Sequence, residues 1–189
     1  MNMGIGLIFA SLILIFSIIA AGIYNHLVRF SFLVKEALSG IDVQLKRRHD
    51  LIPNLVEIVK GYAKYEQGVF EKVTKLRNEI VSAKDSKVNL DAENSLSQAI
   101  KSIFAIAENY PELKANQNFL DLQKNISAIE DNIQMARRYY NGTVRDYNVS
   151  IQSFPNSIIA NIFHFKPAEF FEIEYSTERS SPDIELGDK

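Results

Sequence analysis

The chain has 189 residues, of which 47% are apolar, and its 21 Lys and Arg against 23 Asp and Glu leave a formal net charge of −2. That balance lacks the broad positive field that phosphate backbones demand, so no nucleic-acid partner is expected. The absence of cysteine excludes disulfides, thiolate nucleophiles and Cys-ligated metals.

Charge is unevenly distributed. Met1 to Val28 contains no Lys, Arg, Asp or Glu, whereas the rest of the chain is charged at ordinary density. Within it, Gly4 to Tyr24 supplies about the 20 apolar residues that a helix needs to cross a ~30 Å hydrocarbon layer. Backbone groups in lipid must be satisfied internally, so the segment is predicted to be helical and to contact the lipid bilayer through residues 4–24. A cleaved signal peptide would carry a positive leading region and an apolar core of only ~7–15 residues. Neither feature is present, and an uncleaved anchor is favoured over cutting at Ala20-Ala21-Gly22. Arg29 and Lys35 follow the segment and no cation precedes it. Positively charged flanks stay inside, which predicts a single-pass cell-membrane protein with its N-terminus outside and its body in the cytoplasm.

The predicted organisation is a membrane anchor over residues 1–28, a helical bundle over 29–165, and an acidic, partly disordered tail over 166–189. The body, about 160 residues, suffices for one core. Leu27, Phe30, Val34, Leu38, Ile41 and Leu45 continue an apolar stripe out of the anchor. From Ile52, the positions Leu55, Val59, Tyr62, Val69, Val73, Leu76 and Ile80 alternate steps of three and four, with Glu66 out of place. They predict one heptad-patterned helix of about thirty residues. Leu96, Ala99, Ile103, Ile106 and Tyr110 mark a shorter helix, starting near Asn89 to Asp91 and ending before Pro111. A seam from Phe119 through Leu122, Ile126, Ile129, Ile133, Ala136, Tyr140, Val144 and Tyr147 to Ile151 predicts a helix over Glu112 to Ser153. Repeats near 3.5 residues pack helices at crossing angles of about 20°. The expected fold is therefore all-α, an N-terminal transmembrane helix followed by an antiparallel up-and-down bundle of about four helices, with Val73 and Ile129 buried on facing seams.

The joint between the first two helices is placed at residues 46–53, where Asp50 suits an N-cap and Pro53 a first turn. A hairpin there is preferred to one continuous helix, whose long seam would lack a partner. Val81 to Leu90 reads as a polar loop. Phe154-Pro155 ends the long helix, and Ser157 to Phe163 reads as a short cap bearing Ile158, Ile159, Ile162 and Phe163. The tail sets Glu169, Glu172, Glu174, Glu178, Asp183, Glu185 and Asp188 against Arg179 and Lys189, and its end is expected to be disordered.

The block Ile41 to Glu66, IDVQLKRRHDLIPNLVEIVKGYAKYE, resembles the signature stretch of the LemA family of bacterial membrane proteins. Tyr24-Asn25 with Leu27-Val28, Glu108 to Gln123, Ala136 to Asn148 and Phe154-Pro155 follow in the family's order. The resemblance covers nearly the whole chain. It implies one N-terminal anchor, a helical bundle usually placed in the cytoplasm and, from some relatives, an organising role at internal membranes. Leu38 stands where the family commonly has Trp.

No HExxH, GxxxxGK[ST], GxGxxG or GxSxG pattern occurs, and His26, His49 and His164 are far apart in sequence. No enzyme activity, cofactor or metal is predicted. Two sets of residues remain as candidate interaction or anion sites. Lys46, Arg47 and Arg48 suit an anion or a lipid headgroup, or else close a helix end and pair with neighbouring carboxylates. Tyr139, Tyr140 and Tyr147 with Asn141 and Asn148 form a polar-aromatic stretch in which Tyr140-Asn141 recurs as Tyr147-Asn148 a heptad on; it suits either a groove for a partner helix or, for Tyr140 and Tyr147, a core whose hydroxyls reach a polar partner such as Asn54 or Gln44. The functional expectation is a membrane-anchored adaptor or scaffold with an unknown protein partner. Self-association is compatible with the seams, and an anion or lipid-headgroup module is the alternative.

Overall fold

The computed structural model describes residues 2–63, 65–82 and 90–171. The expected acidic tail beyond Phe171 and most of the expected loop at Val81 to Leu90 lie outside them. Helix α1 spans Asn2–Tyr62, α2 Gln67–Ser82, α3 Leu90–Ala107, α4 Pro111–Lys114, α5 Gln117–Gln152 and α6 Asn156–Ile162. The described residues contain no strand. The protein is an all-α antiparallel bundle growing out of a long apolar N-terminal helix.

Helices α1 and α5 form its spine. As α1 ascends, its partners on α5 descend: Leu27 packs with Tyr147 and Ile151, then Ala37, Ile41 and Leu45 with Ile133, Tyr140 and Val144. Ile52, Leu55, Val56 and Val59 of α1, with Ala63 just past its end, are buried with Phe70 and Val73 of α2, Leu96, Ile100 and Ile103 of α3, and Phe119, Leu122 and Ile126 of α5. Large apolar residues between Leu7 and Ile19 remain exposed. Among the described residues, α1 is the one helix long and apolar enough to cross a membrane.

The hairpin expected at residues 46–53 is absent, because α1 runs straight through Pro53. A proline inside a helix removes the N–H that would serve the carbonyl four residues back. Here that carbonyl belongs to His49, and Arg77 Nε of α2 donates to it at 3.3 Å. The long seam does not lack a partner either, since α5 covers its first part and α2 with α3 its second. The chain reverses instead between the end of α1 and the start of α2, and so the predicted helix from Ile52 to Ile80 is divided between them. A seven-residue step from Tyr62 to Val69 bridges the turn and gave the two helices one apparent seam. Phe70, rather than Val69, is the fully buried residue beyond it.

The predicted helix over Glu112 to Ser153 is likewise divided. Pro111 opens the single turn of α4, and Asn116 then caps α5 by accepting from the Phe119 N–H at 3.1 Å. Ile129 is half-buried in the middle of the bundle, while Val73 is buried in the cluster of α2 and α3, so these two do not face each other.

Candidate functional site

Two constructions stand out. The first is a buried ionic cluster centred on Arg48, which has no exposed surface. From α1 its guanidinium donates to Glu93 on α3, to Ser97 Oγ at 2.5 Å and to Glu130 Oε1 on α5 at 2.7 Å. His49 Nε2 adds a hydrogen bond to Glu93 at 3.2 Å. Burial alone would raise the Glu93 carboxyl, but the hydrogen bond from His49 and the charge of Arg48 outweigh it and hold the group below the usual carboxylate range. Arg137 of α5 lies behind the cluster. Burial and the like charge of Arg48 lower its affinity for a proton, while Glu130 and Glu93 oppose the shift. Its guanidinium faces the Phe171 ring at 5.0 Å, and its Nε has no hydrogen-bond partner among the described residues. A cleft of about 480 Å³ between α3 and α5 opens over this group, lined by Ser97, Lys101, Phe104, Glu130, Gln134 and Arg137.

The cluster divides the candidate trio. Arg48, whose planar fork best suits an anion, is already occupied by two carboxylates. Lys46 is exposed and pairs with Asp50 one turn on at 2.7 Å, and Arg47 is exposed on the same helix.

The second construction is a ladder on α5. After α6 the chain runs extended along α5, and two equivalent rungs grip it. Asn148 donates to the Ala168 carbonyl at 2.9 Å and accepts from the Ala168 N–H at 2.8 Å. Asn141 does the same to Phe171, at 3.1 and 2.8 Å. Below each, a tyrosine hydroxyl donates to a carbonyl two residues earlier in the strap: Tyr147 to Lys166 at 3.0 Å and Tyr140 to Glu169 at 2.9 Å. The registers match for a geometric reason. Seven helical residues rise about 10.5 Å, and three residues of extended or polyproline-like chain cover about 9–10 Å. A heptad on the helix therefore meets a triplet on the strap, and Phe165, Ala168 and Phe171 turn inward at that spacing. Burial raises both tyrosines, with the charge of Glu169 adding to the effect at Tyr140. Both hydroxyls stay protonated donors at neutral pH.

The structure thus brings Asn141, Tyr147 and Asn148 together with Tyr140, as core tyrosines whose hydroxyls reach strap carbonyls rather than Asn54 or Gln44. The groove they form holds the chain's own residues 165–171. Tyr139 stands apart on the exposed side of α5. Sequence reasoning missed His49, Glu93, Ser97, Glu130 and Arg137. A signal was present: Arg48 falls three residues after Leu45 and four before Ile52, and Glu93 three before Leu96, so each occupies a seam position where an apolar residue belongs. Among the described residues, no three His, Cys, Asp or Glu side chains converge to hold a metal.

A bundle built directly on a long apolar N-terminal helix and closed by a strap laid along α5 defines the class of protein. The model of the LemA family matches residues 37–186, and the chain belongs to that family. It is 25% identical to magnetosome protein MamQ 2 of Paramagnetospirillum magneticum over 79% of this chain and 64% of that one. It is also 25% identical to magnetosome protein MamQ of Magnetospirillum gryphiswaldense, over 78% of this chain and 64% of the relative. With protein LemA of Metamycoplasma hominis it shares 28% identity over 86% of this chain and 78% of that one. The chain therefore spans less than two thirds of the length of the magnetosome relatives. The family and the apolar α1 make this a membrane-associated protein.

Proposed function

We propose that the protein is a membrane-anchored adaptor or scaffold that holds a rigid helical bundle away from the bilayer for protein partners, with the body on the cytoplasmic side. The observation that carries this reading is the unbroken course of α1 from the apolar segment to Tyr62. Thirty-eight residues separate Tyr24 from Tyr62, and at ~1.5 Å each they lift the far end of the bundle about 57 Å from the membrane exit. A continuous helix transmits position and orientation where a flexible linker would not. The outward face of α5 displays Met135 and Tyr139 one turn apart, both more than half exposed, and a tyrosine with an apolar body and polar tip suits an interface. Arg29 and Lys35, directly after the apolar segment, support the cytoplasmic orientation.

Photo-crosslinking from position 139 in native membranes tests the adaptor role. A discrete crosslinked protein lost on moving the probe to Lys124 supports it, and no crosslink from Met135, Tyr139 or the exposed Tyr65 removes it. Orientation is read by labelling a Ser102→Cys variant with a membrane-impermeant maleimide. Reaction only after lysis agrees with a cytoplasmic body, and reaction in sealed cells reverses the assignment.

A further inference from the structure

A second charge-free stretch follows the first in space rather than in sequence. From Tyr147 to Phe165 the chain has no Asp, Glu, Lys or Arg, and this stretch folds back beside the charge-free part of α1. The Tyr24 ring meets those of Phe163 and Phe165 at centroid distances of 4.7 and 5.9 Å. Leu27 is buried against Tyr147, Ile151 and Ala160. Tyr24 precedes Arg29, the first charged residue, by five positions, about 7.5 Å along the helix. The end of α5 and all of α6 therefore sit at the height where α1 passes from apolar to charged.

Helix α6 is two-faced. Ile159 and Ala160 are buried in the bundle, whereas Ile158, Ile162 and Phe163 are 47%, 60% and 54% exposed and Phe154, in the turn before the helix, is 82% exposed. The way α6 ends maintains this division. His164 takes a left-handed φ of 57°, its N–H bonds the Asn161 carbonyl at 3.3 Å, and the Phe165 N–H bonds the Ala160 carbonyl at 2.9 Å. That is a Schellman cap, and it turns Phe165 inward to Tyr24 while leaving Phe163 outside. Contiguous exposed apolar side chains of this kind mark an interaction surface.

We propose that Phe154, Ile158, Ile162 and Phe163 form an interfacial foot, embedded in the same bilayer that α1 crosses. Lipid is the occupant that the surroundings select: the patch adjoins the apolar segment of α1 through Tyr24 and Leu27 and lies within a stretch, Tyr147 to Phe165, that carries no charge of its own. Apolar faces of interfacial helices lie ~5–10 Å into the headgroup boundary, and polar-tipped rings such as Tyr24 collect there. Two points of attachment, a crossing helix and a foot, fix the tilt of the bundle as a single helix would not. The proposal rests on the membrane reading of α1.

The sequence has no native cysteine, so single Cys residues can carry an environment-sensitive fluorophore in the full chain reconstituted in phosphatidylcholine and phosphatidylglycerol vesicles. Ile158→Cys and Ile162→Cys probe the foot, Leu14→Cys the crossing segment and Ser102→Cys the bundle far from lipid. Nitroxides placed high on the acyl chains are expected to quench the foot probes several-fold more than the Ser102 probe, with iodide in the water showing the opposite order. A foot probe quenched only by iodide, or by neither agent but by a probe on a second copy, overturns the proposal while a lipid-quenched Leu14 probe leaves the anchor standing. A Leu14 probe untouched by lipid overturns both.

Discussion

At the scale of single residues, the most consequential choice is the placing of Arg48 where a leucine would serve a heptad. Desolvating a guanidinium and two carboxylates is costly, and an ion pair in a core is weak grounds for stability, but removing one partner leaves a buried charge uncompensated. Glu93→Gln is therefore expected to destabilise the bundle by about 3 kcal/mol at neutral pH, read by denaturant unfolding followed by circular dichroism. The pH dependence has a definite sign. The Glu93 carboxyl is held below its ordinary value of 4.5 in the folded state, so its contribution is complete above that value and is lost as the pH falls through the lower, folded one. The parent should lose stability in acid over that window, and Glu93→Gln should show a shallower decline. Equal acid slopes would contradict the assignment. The ladder makes a separate demand. Asn148→Ala leaves the Ala168 N–H and carbonyl without their side-chain partner, and amide exchange at Ala168 is expected to accelerate by more than tenfold, corresponding to at least about 1.4 kcal/mol of local opening.

At the scale of elements, α1 shows how a helix survives a proline. The carbonyl orphaned by Pro53 is rescued from another helix by Arg77, so the two residues are energetically coupled. Arg77→Met should cost about 1–3 kcal/mol by leaving that carbonyl unsatisfied. In a Pro53→Ala background the helix closes its own hydrogen bond, and most of the cost should disappear. A double-mutant cycle measures this, and additive costs would mean that Arg77 acts elsewhere. Continuity itself is open to a distance measurement. Spin labels at Ser39→Cys and Lys60→Cys stand 21 residues apart, and an unbroken helix places their backbones about 31 Å from each other. A hairpin near residues 46–53 would bring them much closer.

At the scale of the whole molecule, three apolar clusters are stacked along one spine, each closed by different partners: α2 and α3 far from the apolar end of α1, the strap in the middle, and α6 beside Leu27. Ile126, fully buried in the far cluster, is a test of that arrangement. Ile126→Asp buries an unpaired carboxylate and should cost several kcal/mol, and unchanged unfolding would contradict the seam. Much of this architecture was legible beforehand. The charge-free Met1 to Val28 and the runs of threes and fours read directly as an apolar helix and a bundle, because burial against lipid or a neighbouring helix imposes composition and period on the chain. The limits of α3, the break at Phe154-Pro155 and the short α6 were legible for the same reason, each being written in local turn and cap chemistry. The location of the first turn was not. Apolar periodicity records which residues are buried and is blind to what buries them, so a seven-residue step across that turn looked like helix, and Pro53 looked like an end. Whether His49 offers a free carbonyl depends on a guanidinium 28 residues away in sequence. Likewise Tyr140, Asn141, Tyr147 and Asn148 announced a polar-aromatic groove through their own spacing, but its occupant, residues 165–171, is settled only by tertiary packing, because matching a helical heptad to an extended triplet requires both segments in place. The sequence by itself determined the all-α class, the apolar N-terminal helix and the family; the tertiary structure decided where the chain turns, which charges are buried together and what fills the groove, since those depend on contacts between segments that no local pattern encodes.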